Sequence, residues 1–389
     1  MSEPKAVVFR DLLTATKDGD WGKGEPQQGY APAHVIRGTD FTEVSLGRIA
    51  GVPLRYLAEK TVHRRLLRAD DILIETAGGS RDRPTGRTAL ISQEILDAFP
   101  GDVTCASFAR FLRVDPLVAS PRYVYWYLQY LYARGDMWTH QVQHTGVARF
   151  QFTRFAETEE VPLPSRAEQD AIAAVLGALD DKIAVNERIA AAALELGGEK
   201  FRLLHRMANE EVTVGDLVEL KYGKSLPAAR RVTGDIPVFG SGGISGSHNE
   251  SFVKGPGIIV GRKGTVGSVY WSEVDFFPID TTFYVACKNS KASLEYMYFA
   301  LRGLGLEQMN SDSAVPGLNR DRAQSLSLRI PTSDAMQEFT AEARNLFQLQ
   351  RSREEENRTL VTLRATLLLQ LMSGRLRVKD AEQIVEDHT

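Results

Sequence analysis

Apolar residues fall at helical spacing through "AEQDAIAAVLGALDDKIAVNERI", residues 167–189: Ile172, Leu176, Leu179 and Ile183, then Ile189. Steps of three and four keep one face of a helix apolar. A second such stretch, "DAMQEFTAEARNLFQLQRSREEENRTLVTLRATLLLQLMSG", carries Leu346, Leu349, Leu360, Leu363 and Leu367, interrupted at Arg353 and Glu356. Each follows a proline, Pro164 or Pro331, which suits a helix entry. Ser165 and Ser333 are candidate N-caps, with Glu168 completing a capping box after the first. Gly197-Gly198 is expected to end or kink the first helix. Forty residues of helix reach about 60 Å, more than one small domain covers. The two stripes are therefore expected to bury each other as a coiled coil. Antiparallel pairing is the easiest across the intervening chain, and parallel pairing stays open. Asn186 and Asn357 hold similar places in the two helices, either fixing register inside the seam or facing solvent.

The segments between the helices read as strands and turns. "DILIET" and "GIIVGR" are short β-branched runs, each followed by a loop rich in Gly and Arg or Lys and then a return to apolar residues. Upstream, "YAPAHVIRGTDF" parallels "GDIPVFGSGGIS"; downstream, "TGVARFQFTRFAETEEVPLP" parallels "SAVPGLNRDRAQSLSLRIP". Pro164 and Pro331 lie about 167 residues apart, far longer than a solenoid repeat. The order is globular unit, long helix, globular unit, long helix. Two related units on a helical spacer suit a partner that is itself rigid, and duplex DNA is the commonest one.

Length and composition agree with this plan. The chain has 389 residues, 43% apolar and 25% charged, which suits a soluble protein of several structural units. No apolar run spans a membrane and the start lacks the plan of a signal peptide, so a cytoplasmic location is expected. Cys105 and Cys287 are unpaired in spacing and are expected to be small buried residues. The net charge of −3 conceals a basic stretch from Lys221 to Lys263, offset by acid in "REEEN" and in the tail. That split is what a nucleic-acid binder needs, though an unevenly charged solvated surface gives it equally well.

The stretch "PLPSRAEQDAIAAVLGALDDKIAVNERI" resembles the central region of the specificity subunits of type I restriction-modification systems. "GIIVGRKGTVGSVYW" followed by "DTTFYV" resembles the core of that family's target-recognition domains. The second helix departs from the pattern, keeping only the Gln and the later Asn-Arg. The resemblance implies an α+β chain: two globular α/β-mixed target-recognition domains separated by two long antiparallel coiled-coil helices with pseudo-two-fold symmetry. The expected divisions are 1–160 and 208–330 for the two domains, 161–207 for the central spacer helix, 331–378 for the C-terminal one and 379–389 for an acidic tail. It also implies a noncatalytic role, each domain reading half of a bipartite double-stranded DNA site while the helices set the gap and dock two methylation subunits. Those would bring S-adenosylmethionine, and a restriction subunit would bring ATP and Mg; no cofactor is expected on this chain, and no membrane partner.

DNA contact is expected first from the Gly-rich loop "TAGGSRDRPTGRT", through Ser80, Arg81, Arg83, Thr85 and Arg87, and from its counterpart Arg262, Lys263 and Thr265. Arg and Lys reach phosphates and guanine edges, and glycine lets the backbone approach. Lys221, Tyr222, Lys224, Ser225, His248, Asn249 and Lys254 form a second group. Gln143, His144, Arg149, Asn319 and Arg320 precede the helices. For all of them a solvated loop is the competing reading. The helix residues expected to pair or dock are Ile172, Leu176, Leu179, Ile183, Asn186, Leu346, Leu349, Asn357, Leu360, Leu363 and Leu367. Tyr123, Trp126, Tyr127 and Tyr130, at helical spacing, are expected in the core and not as a base-stacking platform.

Enzyme readings fit less well. "VFGSGG" loosely matches a methyl-donor glycine pattern, but no Asn-Pro-Pro-aromatic motif accompanies it. No GxxxxGK[ST] is present. Asp71 and Glu75 lack the following Lys of a common nuclease site, and "HQVQH", with His140 and His144, lacks the Glu of a zinc protease. The alternatives are a stand-alone DNA adenine methyltransferase or nuclease of unfamiliar site, and a coiled-coil scaffold that binds protein only.

Overall fold

A computed structural model describes residues 5–80, 82–144, 147–309 and 317–387. The fold is α+β, and the chain divides into two compact units: Met1–Glu187 with Glu356–Thr389, and Arg188–Glu355.

The first unit is built on a four-stranded antiparallel sheet, in the order Leu13–Asp18, Ala109–Val114, Asp71–Glu75, Thr88–Ile91. Asp71–Glu75 is buried along its whole length. Its side chains alternate as strand geometry demands: Ile72 and Ile74 enter one apolar cluster and Leu73 another. Polar ends of so buried a strand need partners, and Asp71 and Glu75 find them in Arg113 and Arg87. A smaller sheet places Tyr30–Ile36 between antiparallel Leu54–Ala58 and parallel Val103–Cys105. Lys5–Val8 pairs with Glu160–Leu163. The helix Pro121–Arg134 starts on its proline and stops at Gly135, whose φ of 84° is the left-handed stop that glycine allows. It buries Tyr123, Trp126, Tyr127 and Tyr130 in the core, as their spacing predicts.

In the second unit the sheet order repeats. Val218–Tyr222, Thr282–Cys287, Gly257–Gly261 and Val269–Ser272 form the four-stranded antiparallel sheet. Ile236–Gly240 lies between antiparallel Gly243–His248 and parallel Phe277–Pro278. Glu210–Thr213 pairs with Ser327–Ile330. Gly19 and Gly223 follow the first strand of their sheets. A Cβ on either would sit 2.0 or 2.1 Å from a carbonyl, of Cys105 or Ile279, so each is a glycine by necessity. Gly19 donates to the Ala109 carbonyl as Gly223 does to that of Thr282. Thr76 donates to Phe108 as Arg262 does to Thr281. The duplication thus lies in backbone hydrogen bonds, while side chains at matched places differ.

The long helices span Arg166–Met207 and Ser333–Met372. Ser165 caps the first, accepting the Glu168 N–H at its Oγ. Ser333 does not cap the second; it is already helical, and the Met336 N–H reaches the Thr332 carbonyl, so the boundary falls one residue earlier. Gly197-Gly198 neither ends nor breaks the first helix, because Gly197 is a packing residue: a Cβ there would lie 2.6 Å from Phe299 Cζ. Within the first unit the helices run antiparallel, Asp180 meeting Arg364 and Lys182 meeting Glu356. Ile172, Leu176, Leu179 and Ile183 are buried there with Leu360 and Leu367, and Leu363 is packed at the edge. Asn186 and Asn357 lie in the seam: Asn186 Nδ2 donates to Asn357 Oδ1 at 2.9 Å, and Asn357 Nδ2 donates to the Ile183 carbonyl.

Within the second unit Lys200 pairs with Glu342, and the seam differs from expectation. Met336, Phe339, Ala343 and Phe347 are buried, whereas Leu346 is half-buried and Leu349 is 40% exposed. The first helix buries Ala190, Ala193 and Gly197, and the Phe299 ring packs against Gly197. Two further expectations are corrected. The expected acidic tail contains a helix, Val378–Glu386, with Ala381 fully buried and Ile384 and Val385 packed on the first unit's core. Cys105 is buried, but Cys287 is exposed. No helix among the described residues is long and apolar enough to cross a membrane.

Candidate nucleic-acid interface

In the second unit the loop after Gly257–Gly261 is fixed before any partner arrives. Arg262 and Lys263 both donate backbone N–H groups to the Thr281 carbonyl, at 2.9 and 3.1 Å, and Leu318 donates to the Arg262 carbonyl. Gly261 cannot be larger, since a Cβ would sit 2.1 Å from the Thr265 carbonyl. Gly264 and Gly267, with φ of 82° and 77°, turn the chain back. On this base the Arg262 guanidinium lies 4.7 Å over the Tyr222 ring and 5.8 Å over Phe283. Arg320 lies 5.4 Å over the same tyrosine. Such stacking holds a cation in place and leaves its edges to other partners. Lys221, Lys224, Ser225, Lys263 and Thr265 are exposed around it. The structure therefore gathers two sequence-separated groups, the Gly-rich loop and "KYGKSL", into one cationic and aromatic surface. Phe283 falls within "DTTFYV" but, as one apolar residue of a strand, is not singled out as a site residue by the sequence.

Other candidates in this unit serve the fold. Asn319 caps the helix Arg320–Gln324 by accepting the Arg322 N–H. His248 is buried and accepts the Val232 N–H at Nδ1. Lys254 pairs with Asp275 at 2.6 Å. Asn249 is exposed.

In the first unit the matching loop is occupied differently. Arg87 makes two bonds to the Glu75 carboxylate, at 2.7 and 3.1 Å, and a third to the Gly38 carbonyl. The bonds to Glu75 raise its pKa above the ordinary arginine value. Thr85 is fully buried, its N–H and hydroxyl both donating to Gln141 Oε1. Thr85 is buried and so cannot reach DNA as the sequence reading supposed, and Arg87 commits Nε and Nη2 to the buried Glu75 carboxylate and the Gly38 carbonyl. Ser80 is exposed in a tight turn closed by Arg83, whose guanidinium also donates to the Gly78 carbonyl. Arg81 lies outside the described residues, as does the side chain of His144. The strand Val147–Phe150 joins Ala77–Gly79 and Gln141–His144 in one small sheet, so loop and hairpin form a single patch with Gln143 and Arg149 exposed.

The sequence reading missed a basic group in this unit. Lys60, His63, Arg64 and Arg68 are exposed on and after the helix Glu59–Arg65, and Arg55 stacks 4.5 Å over Trp21. The run "HRRLLR" signalled it. Asp71 and Glu75 are each bound to arginine, and among the described residues no three His, Cys, Asp or Glu side chains group as metal ligands.

Residues 208–358 match the type I restriction modification DNA specificity domain. A 126-residue stretch is 27% identical to the Escherichia coli type I restriction enzyme EcoprrI specificity subunit, covering 31% of each chain. The match spans about a third of that relative's length. The crystal structure of the type I restriction-modification S subunit from M. genitalium superposes with a TM-score of 0.62 at 18% identity, covering 94% of this chain and 95% of that one. Residues 208–358 thus carry a type I restriction modification DNA specificity domain, and the chain as a whole shares the fold of the M. genitalium S subunit.

Proposed function

We propose that the chain is the DNA-specificity subunit of a type I restriction-modification complex. Each compact unit reads one half of a bipartite double-stranded site, and the lengths of the paired helices set the gap between halves. The carrying observation is that the specificity-domain match covers the unit holding the Arg262–Tyr222–Arg320 cluster on its fixed turn. In this reading the chain performs no bond chemistry. Two methylation subunits dock on it and supply S-adenosylmethionine, and a restriction subunit supplies ATP- and Mg-dependent cleavage.

The test is a genome-wide map of methylated adenines in cells expressing the methylation subunit with and without this chain. A split motif that appears only with the chain supports the role. Methylation by the purified chain alone would replace it with an enzyme. Binding to the methylation subunit with no salt-dependent binding to DNA would reduce the chain to a protein scaffold.

A further inference from the structure

We infer that Arg262 reads a guanine in the half-site taken by the second unit, with Tyr222 as its positioning residue; this rests on the specificity role proposed above. Bidentate pairing of a guanidinium with guanine O6 and N7 is the most discriminating common contact to a base edge. It requires a planar fork held at a fixed angle. Arg262 meets that need three ways. Its backbone is tied at both ends, N–H to Thr281 and carbonyl to Leu318. Its plane is set by the Tyr222 and Phe283 rings. Its Nη1 donates to the Asp280 carbonyl at 3.3 Å, which fixes rotation while engaging only one of five donors.

What is missing around Arg262 matters as much. Among the described residues it has no carboxylate partner, whereas Arg87 is bound to Glu75 and Arg320 to Asp321 at 3.2 Å. Exposed Lys224 and Lys263 on flexible stems and the Thr265 hydroxyl suit phosphates, which impose no plane. The hydrogen bonds that match the two units place Thr76 where Arg262 stands, and the residue before each matched glycine is Asp18 in the first unit and Tyr222 in the second. The first unit therefore lacks this reader, and a guanine dependence traced to Arg262 belongs to one half-site only.

The experiment uses the complex of this chain with its methylation subunits and the methyl donor, acting on a duplex library varied one position at a time about the wild-type motif. With R262A, one G·C pair in one half should lose about tenfold or more of its preference while every other position holds. R262K keeps the charge, loses the fork and should relax the same pair, so the inference stays testable if R262A folds poorly. Y222L should also relax that pair, and Y222F, which keeps the ring, should not. Relaxation at an A·T pair overturns the inference. So does uniform weakening on all sequences with a shallower salt dependence, the mark of a phosphate contact. Both of those results leave the specificity role standing. A wild-type complex indifferent to sequence defeats role and inference together.

Discussion

Two arginines near glycine turns, Arg87 and Arg262, look interchangeable along the chain and are put to opposite uses. Arg87 neutralises Glu75, a carboxylate only 2% exposed. A buried charge whose partner is removed keeps its desolvation cost, so Arg87→Ala should lower stability by about 3 kcal/mol or more. Arg83, whose guanidinium lies 3.9 Å from Glu75, offsets part of that. Denaturant unfolding measures it: Glu75→Ala with Arg87→Ala should recover most of the loss, and the recognised motif should not change. An unchanged midpoint with an altered motif would return Arg87 to the reading surface. The sequence showed that arginines cluster in this loop. It did not show which of them a buried acid claims, because Glu75 meets Arg87 only once the two strands pair.

Among elements, the strands beside the Gly-rich loops were more legible than the helix seam. Strand–loop–strand units announce themselves through β-branched runs bounded by glycine, and the backbone bonds that close them tolerate many side chains. The seam depends on matched volumes across two segments far apart in sequence. Leu346 and Leu349 fit a helical stripe as well as Ala343 and Phe347 do, and the rings stacked on Phe347, those of Trp271 and Phe299, come from other elements of the second unit. The neighbouring glycines test this. Gly198 has nothing within 4 Å of a new Cβ, so Gly198→Ala should stabilise the helix by up to about 1 kcal/mol. At Gly197 the same change drives a methyl into Phe299, which is 5% exposed and stacked 5.7 Å from Phe347. Overpacking there should cost about 1–3 kcal/mol, outweighing the propensity gain. Thermal melts of the two variants should therefore move in opposite directions, and a shared upward shift would show that the Phe299 ring yields.

For the whole molecule, the proposed role makes helix length a measured quantity in DNA. Each unit has contacts that pin the helices within it: Lys182 to Glu356 and Asn186 to Asn357 in the first, Lys200 to Glu342 in the second. The unit boundaries, at Glu187/Arg188 and Glu355/Glu356, lie between those sets. Seven residues of helix inserted at both boundaries preserve each set, since a heptad nearly restores the same face. They lengthen both helices by about 10 Å, against about 3.4 Å for each base pair of duplex. The permitted gap should grow by up to about three base pairs while both half-sites keep their sequences. Motif mapping on the inserted chain decides the matter. A longer gap with intact halves means the helices measure distance. An unchanged gap means that something other than their length sets it, and altered half-sites would mean that the helices take part in reading bases.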